Sequence, residues 1–297
     1  MSTANPWLSG AGFDAYRGAG WRYLGIAAVL AALAAEILVK AAGGGSAPTA
    51  LQQSLSSYVN DPVPASLMAT LKTASTVTLS FSGGPKLLSA KARVSTATGP
   101  VKGGPTMFYQ GADFCPYCAA ERWALVLTLM RFGTVGGLRY MTSNPGDVYP
   151  NTPTFTFVNI TYKSPYMHLD AAEVANRTDT AALQTPSAAN NAALSKYDTA
   201  KYVGSSAAGT IPFLDIGNRY VWVGAPYVPS DLLKKQWRTI AQELVTLGKT
   251  GRGDSNIQAI ARGANEFTAA VCSEDGGQPA SVCKAAGVVA AQGGLPK

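Results

Sequence analysis

Histidine is almost missing from this chain: His168 is the only one in 297 residues. A zinc centre built on histidine is therefore poorly supplied, and a lone loop histidine is read as a surface or capping residue rather than a base. Charge is scarce as well. Charged residues make up 14% of the chain, and the net charge of +7 is spread singly, with Lys234-Lys235 the longest basic run. No arginine-rich arm or aromatic-interleaved basic patch is present, which argues against nucleic acid as a partner. Cysteine occurs only four times, as two local pairs, Cys115/Cys118 and Cys272/Cys283. Hydrophobic residues, by contrast, reach 47%, ample for a core and too many for a disordered chain.

The first cysteine pair is the chemical centre of the sequence. Met107-Phe108-Tyr109 reads as a short buried strand, and Ala119 to Phe132 as an apolar helix without a breaker, so Cys115-Pro116-Tyr117-Cys118 falls on a strand-to-helix turn. The first turn of a helix leaves N–H groups unpaired and carries the positive end of the dipole, which favours a thiolate. Cys115 is the expected nucleophile and Cys118 the resolving thiol. Pro116 suits the first helical position, where its missing N–H costs nothing. A zinc site would need two further ligands that the chain barely offers. Haem attachment would need histidine where Ala119 stands, and a static disulfide is the remaining structural alternative. No metal and no cofactor is expected.

Along the chain, residues 1–20 read as a cytoplasmic tail and 21–42 as a membrane anchor carrying Trp21 and Tyr23 at its near end, a cleaved signal peptide being the rival reading. Either places the remainder outside the cytoplasm. Residues 43–105 read as a linker and N-terminal segment with a helix from Pro64 to Lys72 and a strand-like stretch from Thr76 to Phe81. After the dithiol helix, Leu138 to Met141 is expected to complete a β-α-β unit, and Thr152 to Tyr162 alternates as one strand. His168 is expected in a loop, and 170–203 as a helical insertion. Leu214 to Ile216 and Tyr220 to Val223 flank Gly217-Asn218 as a hairpin, with Pro212 leading into it. Ser230-Asp231 is expected to cap a helix from Leu232 to Leu247, ended by Gly248, and Asn256 to Val271 forms another. Cys272 and Cys283 then close a structural disulfide within the C-terminal segment, 251–297. Asn159-Ile160-Thr161 and Asn176-Arg177-Thr178 match the glycosylation pattern, and Arg252-Gly253-Asp254 an adhesion tripeptide; none of these carries weight.

The order strand, Cys-Pro-Tyr-Cys, helix, strand, Thr-Ile-Pro-Phe, hairpin and helix resembles the thioredoxin fold. The resemblance implies an α/β domain over 106–250, with Pro212 as a cis-proline facing the dithiol and Ile211 before it contacting substrate beside Pro116 and Tyr117. Phe114-Cys115-Pro116-Tyr117-Cys118-Ala119-Ala120-Glu121-Arg122-Trp123, with Asp147 to Phe157 and Gly277 to Cys283, is similar to an uncharacterised prokaryotic family of membrane-anchored thioredoxin-like proteins. The tetrad also matches glutaredoxins, but no glutathione-binding signature accompanies it.

The expected function is that of a membrane-anchored extracytoplasmic thiol–disulfide oxidoreductase acting on protein or small thiol/disulfide substrates, with a redox partner in the membrane. The alternative is a redox-inert assembly subunit of a membrane complex. An exposed Cys115 favours the first and a buried one the second. A copper-holding thiolate pair is chemically allowed, but no methionine- or histidine-rich ligand set accompanies it.

Overall fold

A computed structural model describes residues 50–297 apart from Thr98 and Ala225. The expected tail and anchor, 1–42, lie outside the described residues. Among the described residues no helix is long and apolar enough to cross a membrane.

The molecule is a mixed α/β structure around a five-stranded sheet. Its strands are β1 (Ala90–Arg93), β2 (Thr106–Gly111), β7 (His168–Glu173), β8 (Phe213–Ile216) and β9 (Tyr220–Val223), in the order β1-β9-β8-β2-β7. All neighbours are antiparallel except β2 and β7, which run parallel with Tyr109 opposite Ala171. Side chains alternate across these strands. Tyr109, Leu214 and Trp222 face the larger core, while Phe108, Phe213 and Val221 face a smaller one.

Helix α3 (Pro116–Phe132) lies in the larger core with α2 (Ala65–Val77), α6 (Trp237–Thr250) and α7 (Ser255–Glu274). Every residue of α3 except Tyr117 is buried, as expected of a helix apolar on all sides. Arg131 ties it to its neighbours. Its guanidinium donates to Ser75 O at 3.0 Å, Thr78 Oγ1 at 3.0 Å and Thr268 Oγ1 at 2.8 Å. The opposite face of the sheet is covered by α4 (Ala188–Tyr197) and α5 (Ala200–Val203).

Several expected elements fall differently. Leu138 to Met141 does not complete the β-α-β unit. Among the described strands β4 (Arg139–Thr142) pairs with β5 (Pro153–Thr156), its Arg139 bridges Pro62, and Tyr140 exchanges backbone bonds with Asn60 and Asp61; the parallel partner of β2 is β7. Thr152 to Tyr162 is two strands: Asn159 takes a left-handed turn, φ 59°, between β5 and β6 (Thr161–Lys163), which pairs with β3 (Thr134–Gly136). Residues Pro153 to Thr156 are all buried, because the strand is covered on both sides rather than half-exposed. His168 starts β7 instead of occupying a loop, and of the expected insertion only 188–197 and 200–203 are helical.

The strand-like Thr76 to Phe81 is instead the end of α2 and a 3₁₀ turn, Thr78–Ser80; buried Thr78 donates its hydroxyl to Ala74 O, so a β-branched residue closes a helix. Ser230 to Lys234 also forms a 3₁₀ turn, and the following helix starts at Trp237 and passes Gly248 to end at left-handed Gly251. The hairpin matches expectation, with Gly217 and Asn218 both at positive φ, as its two-residue turn requires. Cys272 and Cys283 are joined, with an S–S distance of 1.93 Å.

Candidate dithiol site

The site begins where β2 ends. Gly111 O accepts from Val174 N, Asp113 N donates to Ala175 O at 3.0 Å, and Asn144 N donates to Phe114 O at 2.9 Å, so the turn is stitched to two neighbouring segments. Cys115 is the N-cap of α3, and its sulfur accepts from Cys118 N at 3.1 Å. Pro116 occupies the first helical position, the placement its fixed φ favours. One unpaired N–H of the helix start is thus satisfied by the sulfur of Cys115.

Cys115 and Cys118 are both 0% exposed and stand as thiols. They pack with Ala112, Phe114 and Ala175, and Tyr117, Val174 and Ile211 lean on this cluster. Ile211 is joined to Pro212 by a cis peptide bond, and Pro212 is buried, with its carbonyl accepting from Gly224 N at 2.9 Å. The structure therefore brings Ile211 to the dithiol across the sheet. Tyr117 meets Tyr149 edge to face, ring centroids 5.9 Å apart, adding the 144–152 loop to the cover. Cys272 and Cys283 lie elsewhere, bonded to each other on α7 and α8 (Ala280–Cys283).

Behind the sulfurs is a charged cluster in which Asp113, Glu121 and Arg122 around the motif meet Glu173 from β7. Arg122 lies one helical turn beyond Cys118 and is fully buried. It clamps Glu173 of β7 with two bonds of 2.7 and 2.5 Å, donates to Ala112 O at 2.7 Å, and lies 3.7 Å from Asp113. Burial opposes the guanidinium charge, but Glu173 and its neighbours outweigh it and hold the Arg122 pKa above the ordinary range. Asp113 is pushed up to about 7, first by burial, then by Glu173, with Arg122 pulling the other way. Burial also pushes the Cys118 thiol well up, helped by its hydrogen bond to Cys115. Glu121 is raised by burial and by Cys115, and neither of its carboxyl oxygens has a hydrogen-bond partner among the described residues.

Residues 91–273, more than half of the chain, match the family profile described as Domain of unknown function (DUF929). The chain belongs to the DUF929 family. No curated protein and no solved structure matches it. The DUF929 region takes in the whole sheet but for Ala90, the dithiol, Arg122, Glu173 and Ile211.

In this DUF929 chain Arg122 was readable as a charge that could fold back toward the thiols and oppose Asp113, and it does lower the Cys118 pKa against burial; Glu121, which carried no role in the sequence, had the signal of a second adjacent charge inside a helix with no polar face. Glu173 and Tyr149 had none, because their approach to the turn depends on strand pairing and a loop contact. Among the described residues, no cluster of three or more metal-ligating side chains is present.

Proposed function

We propose that this protein is a thiol–disulfide oxidoreductase whose dithiol, Cys115 and Cys118, sits in a thioredoxin-like domain held outside the cytoplasm by the apolar segment 21–42. The observation that carries this reading is the convergence of Ile211 and Tyr117 on two cysteines at a helix N-terminus. In the oxidised pair, a substrate thiolate attacks the Cys115 sulfur and the bond to Cys118 breaks, giving a mixed disulfide on Cys115. A second substrate thiolate then attacks the substrate sulfur, leaving an oxidised substrate and a reduced pair. The reverse sequence reduces a substrate disulfide. Tyr117 and Ile211, half-buried, are the side chains that meet substrate backbone, with buried Pro116 and Pro212 shaping the turn and loop beneath them. The clients are proteins or small thiols and disulfides, and a membrane redox partner resets the pair.

A second reading is a redox-inert assembly subunit of a membrane complex, and the complete burial of both sulfurs favours it. The two separate cleanly. On the first reading, Cys118→Ser captures clients as adducts on Cys115 that a reducing agent releases, and Cys115→Ser captures none. Absence of adducts under conditions where an established oxidoreductase trap yields them leaves the assembly reading standing.

A further inference from the structure

We propose that Asn159 carries an N-linked glycan and that Asn176, the other asparagine in an Asn-x-Thr pattern, does not. The modification needs the domain to stand outside the cytoplasm, so it rests on that part of the proposed function. The closed Cys272–Cys283 disulfide fits such a compartment.

As sequence the two patterns are equal, and the structure separates them. Asn159 lies at the tip of the turn between β5 and β6, where Ile160 N donates to Phe157 O at 3.1 Å and Asn159 takes φ 59°. Phe157 is fully buried and Ile160 packs against the larger core, so the turn is anchored on both sides of an exposed Asn159. A left-handed turn position accounts for an asparagine by itself. It leaves over the side chain, which makes no hydrogen bond among the described residues, and the hydroxyl two positions on.

Thr161 is exposed at the start of β6 and stands opposite Gly136 in the β3–β6 pair. A Cβ at Gly136 would fall 2.6 Å from the Thr161 hydroxyl oxygen, so the missing side chain keeps that hydroxyl uncovered. At Gly137 a Cβ would fall 2.8 Å from Asn159 O. The facing strand end is thus kept clear of the turn. That clearance matters because an acceptor needs the hydroxyl of its third residue as well as a surface asparagine.

Asn176 is half-buried and committed. Its Oδ1 accepts from Thr180 N at 2.9 Å, and its Nδ2 donates to Thr180 Oγ1 at 3.1 Å. The Thr178 hydroxyl lies 2.9 Å from the same Thr180 hydroxyl, and Arg177 between them donates to Thr142 Oγ1 at 2.8 Å. A sugar on Asn176 would have to displace Thr180 from Nδ2 and open the loop that this side chain closes.

The sugar donor is an oligosaccharide on a lipid phosphate, delivered by a membrane transferase outside the cytoplasm. Asn159 Nδ2 bonds to the anomeric carbon, the bond from that carbon to the phosphate oxygen breaks, and its electron pair leaves on the phosphate. Nδ2 gives one proton to a base of the transferase and keeps the other. The product is a bulky, solvated group on an exposed turn.

The test uses the full chain purified from its source cells, digested with trypsin and read by mass spectrometry. Peptide 140–163, which holds Asn159, is expected as a glycopeptide with the sugar on that residue, and peptide 164–177, which holds Asn176, is expected unmodified. Thr161→Ala, which leaves Asn159 in place, is expected to lose the glycan and run faster on a denaturing gel, while Thr161→Ser keeps it. A membrane-impermeant amine reagent on intact cells reports placement separately, through lysines such as exposed Lys163. A chain labelled from outside whose 140–163 peptide is wholly unmodified overturns the proposal and leaves the placement standing. A glycan on Asn176, or one that survives Thr161→Ala, overturns it as well. A chain labelled only after the cells are broken removes both the proposal and the placement.

Discussion

A buried charge costs several kcal/mol unless its partners are in place, and around the dithiol they are supplied from three separate segments. Arg122 comes from the helix, Asp113 from the turn and Glu173 from β7, so the charge balance exists only in the folded chain. Asp215 is a simpler case. It is buried on β8, accepts from Asn218 N at 2.8 Å through one oxygen and has no partner among the described residues for the other. Burial pushes its pKa up to about 7 against the Asn218 bond and Lys196. Because the folded value lies above the unfolded one, the native state holds a proton that the unfolded chain gives up. This contribution to stability is therefore complete below about pH 4 and falls as pH rises to about 7. Asp113 acts with the same sign. Asp215→Asn should raise stability at about pH 8 by on the order of 1–3 kcal/mol and change little at about pH 4, as read from urea unfolding at both values.

Elements follow the same logic of partners. Helix α3 was readable because nothing interrupts its apolar run, and the β8–β9 hairpin because Gly217-Asn218 fits a turn that needs positive φ at both positions. The short strands were not, since β-branched and aromatic residues can equally close a helix, as Thr78 does, or fill a core from an irregular segment. At Gly248 the decision lies wholly in packing. The sequence suggests a helix stop, yet α6 continues because the missing side chain lets it press on the end of α2. A Cβ there would fall 2.6 Å from Val77 C and 2.7 Å from Val77 O, both backbone atoms that cannot turn aside. Gly248→Ala should therefore lose roughly 1–3 kcal/mol through overpacking, outweighing the helix-propensity gain of up to about 1 kcal/mol. The check is a lowered urea midpoint with unchanged slope.

At the scale of the whole molecule, distant parts of the chain are drawn into one core. Leu67 and Leu71 of α2 pack with Leu125 of α3 and Ile260 of α7, and β1 completes the sheet against β9. The Cys272–Cys283 bond closes a short loop between α7 and α8 on the rim of this core. Replacing both with serine should lower stability by about 3 kcal/mol, mainly by freeing the unfolded chain. Hydrogen exchange should place the greatest loss of protection in residues 272–297, with the sheet keeping its order of protection.

The sequence by itself determined the features that depend on near neighbours: the dithiol at the start of α3, Pro116 in its first turn, the hairpin around Gly217-Asn218, and the closing of Cys272 with Cys283. It also carried the alternation that sends Tyr109 and Phe108 to opposite cores. Only the tertiary structure decided that β7 is the parallel partner of β2, that Glu173 reaches Arg122, and that both sulfurs are covered. Those outcomes depend on contacts between residues tens of positions apart, whose energy is set by packing and exclusion of water. Local pattern carries no record of either.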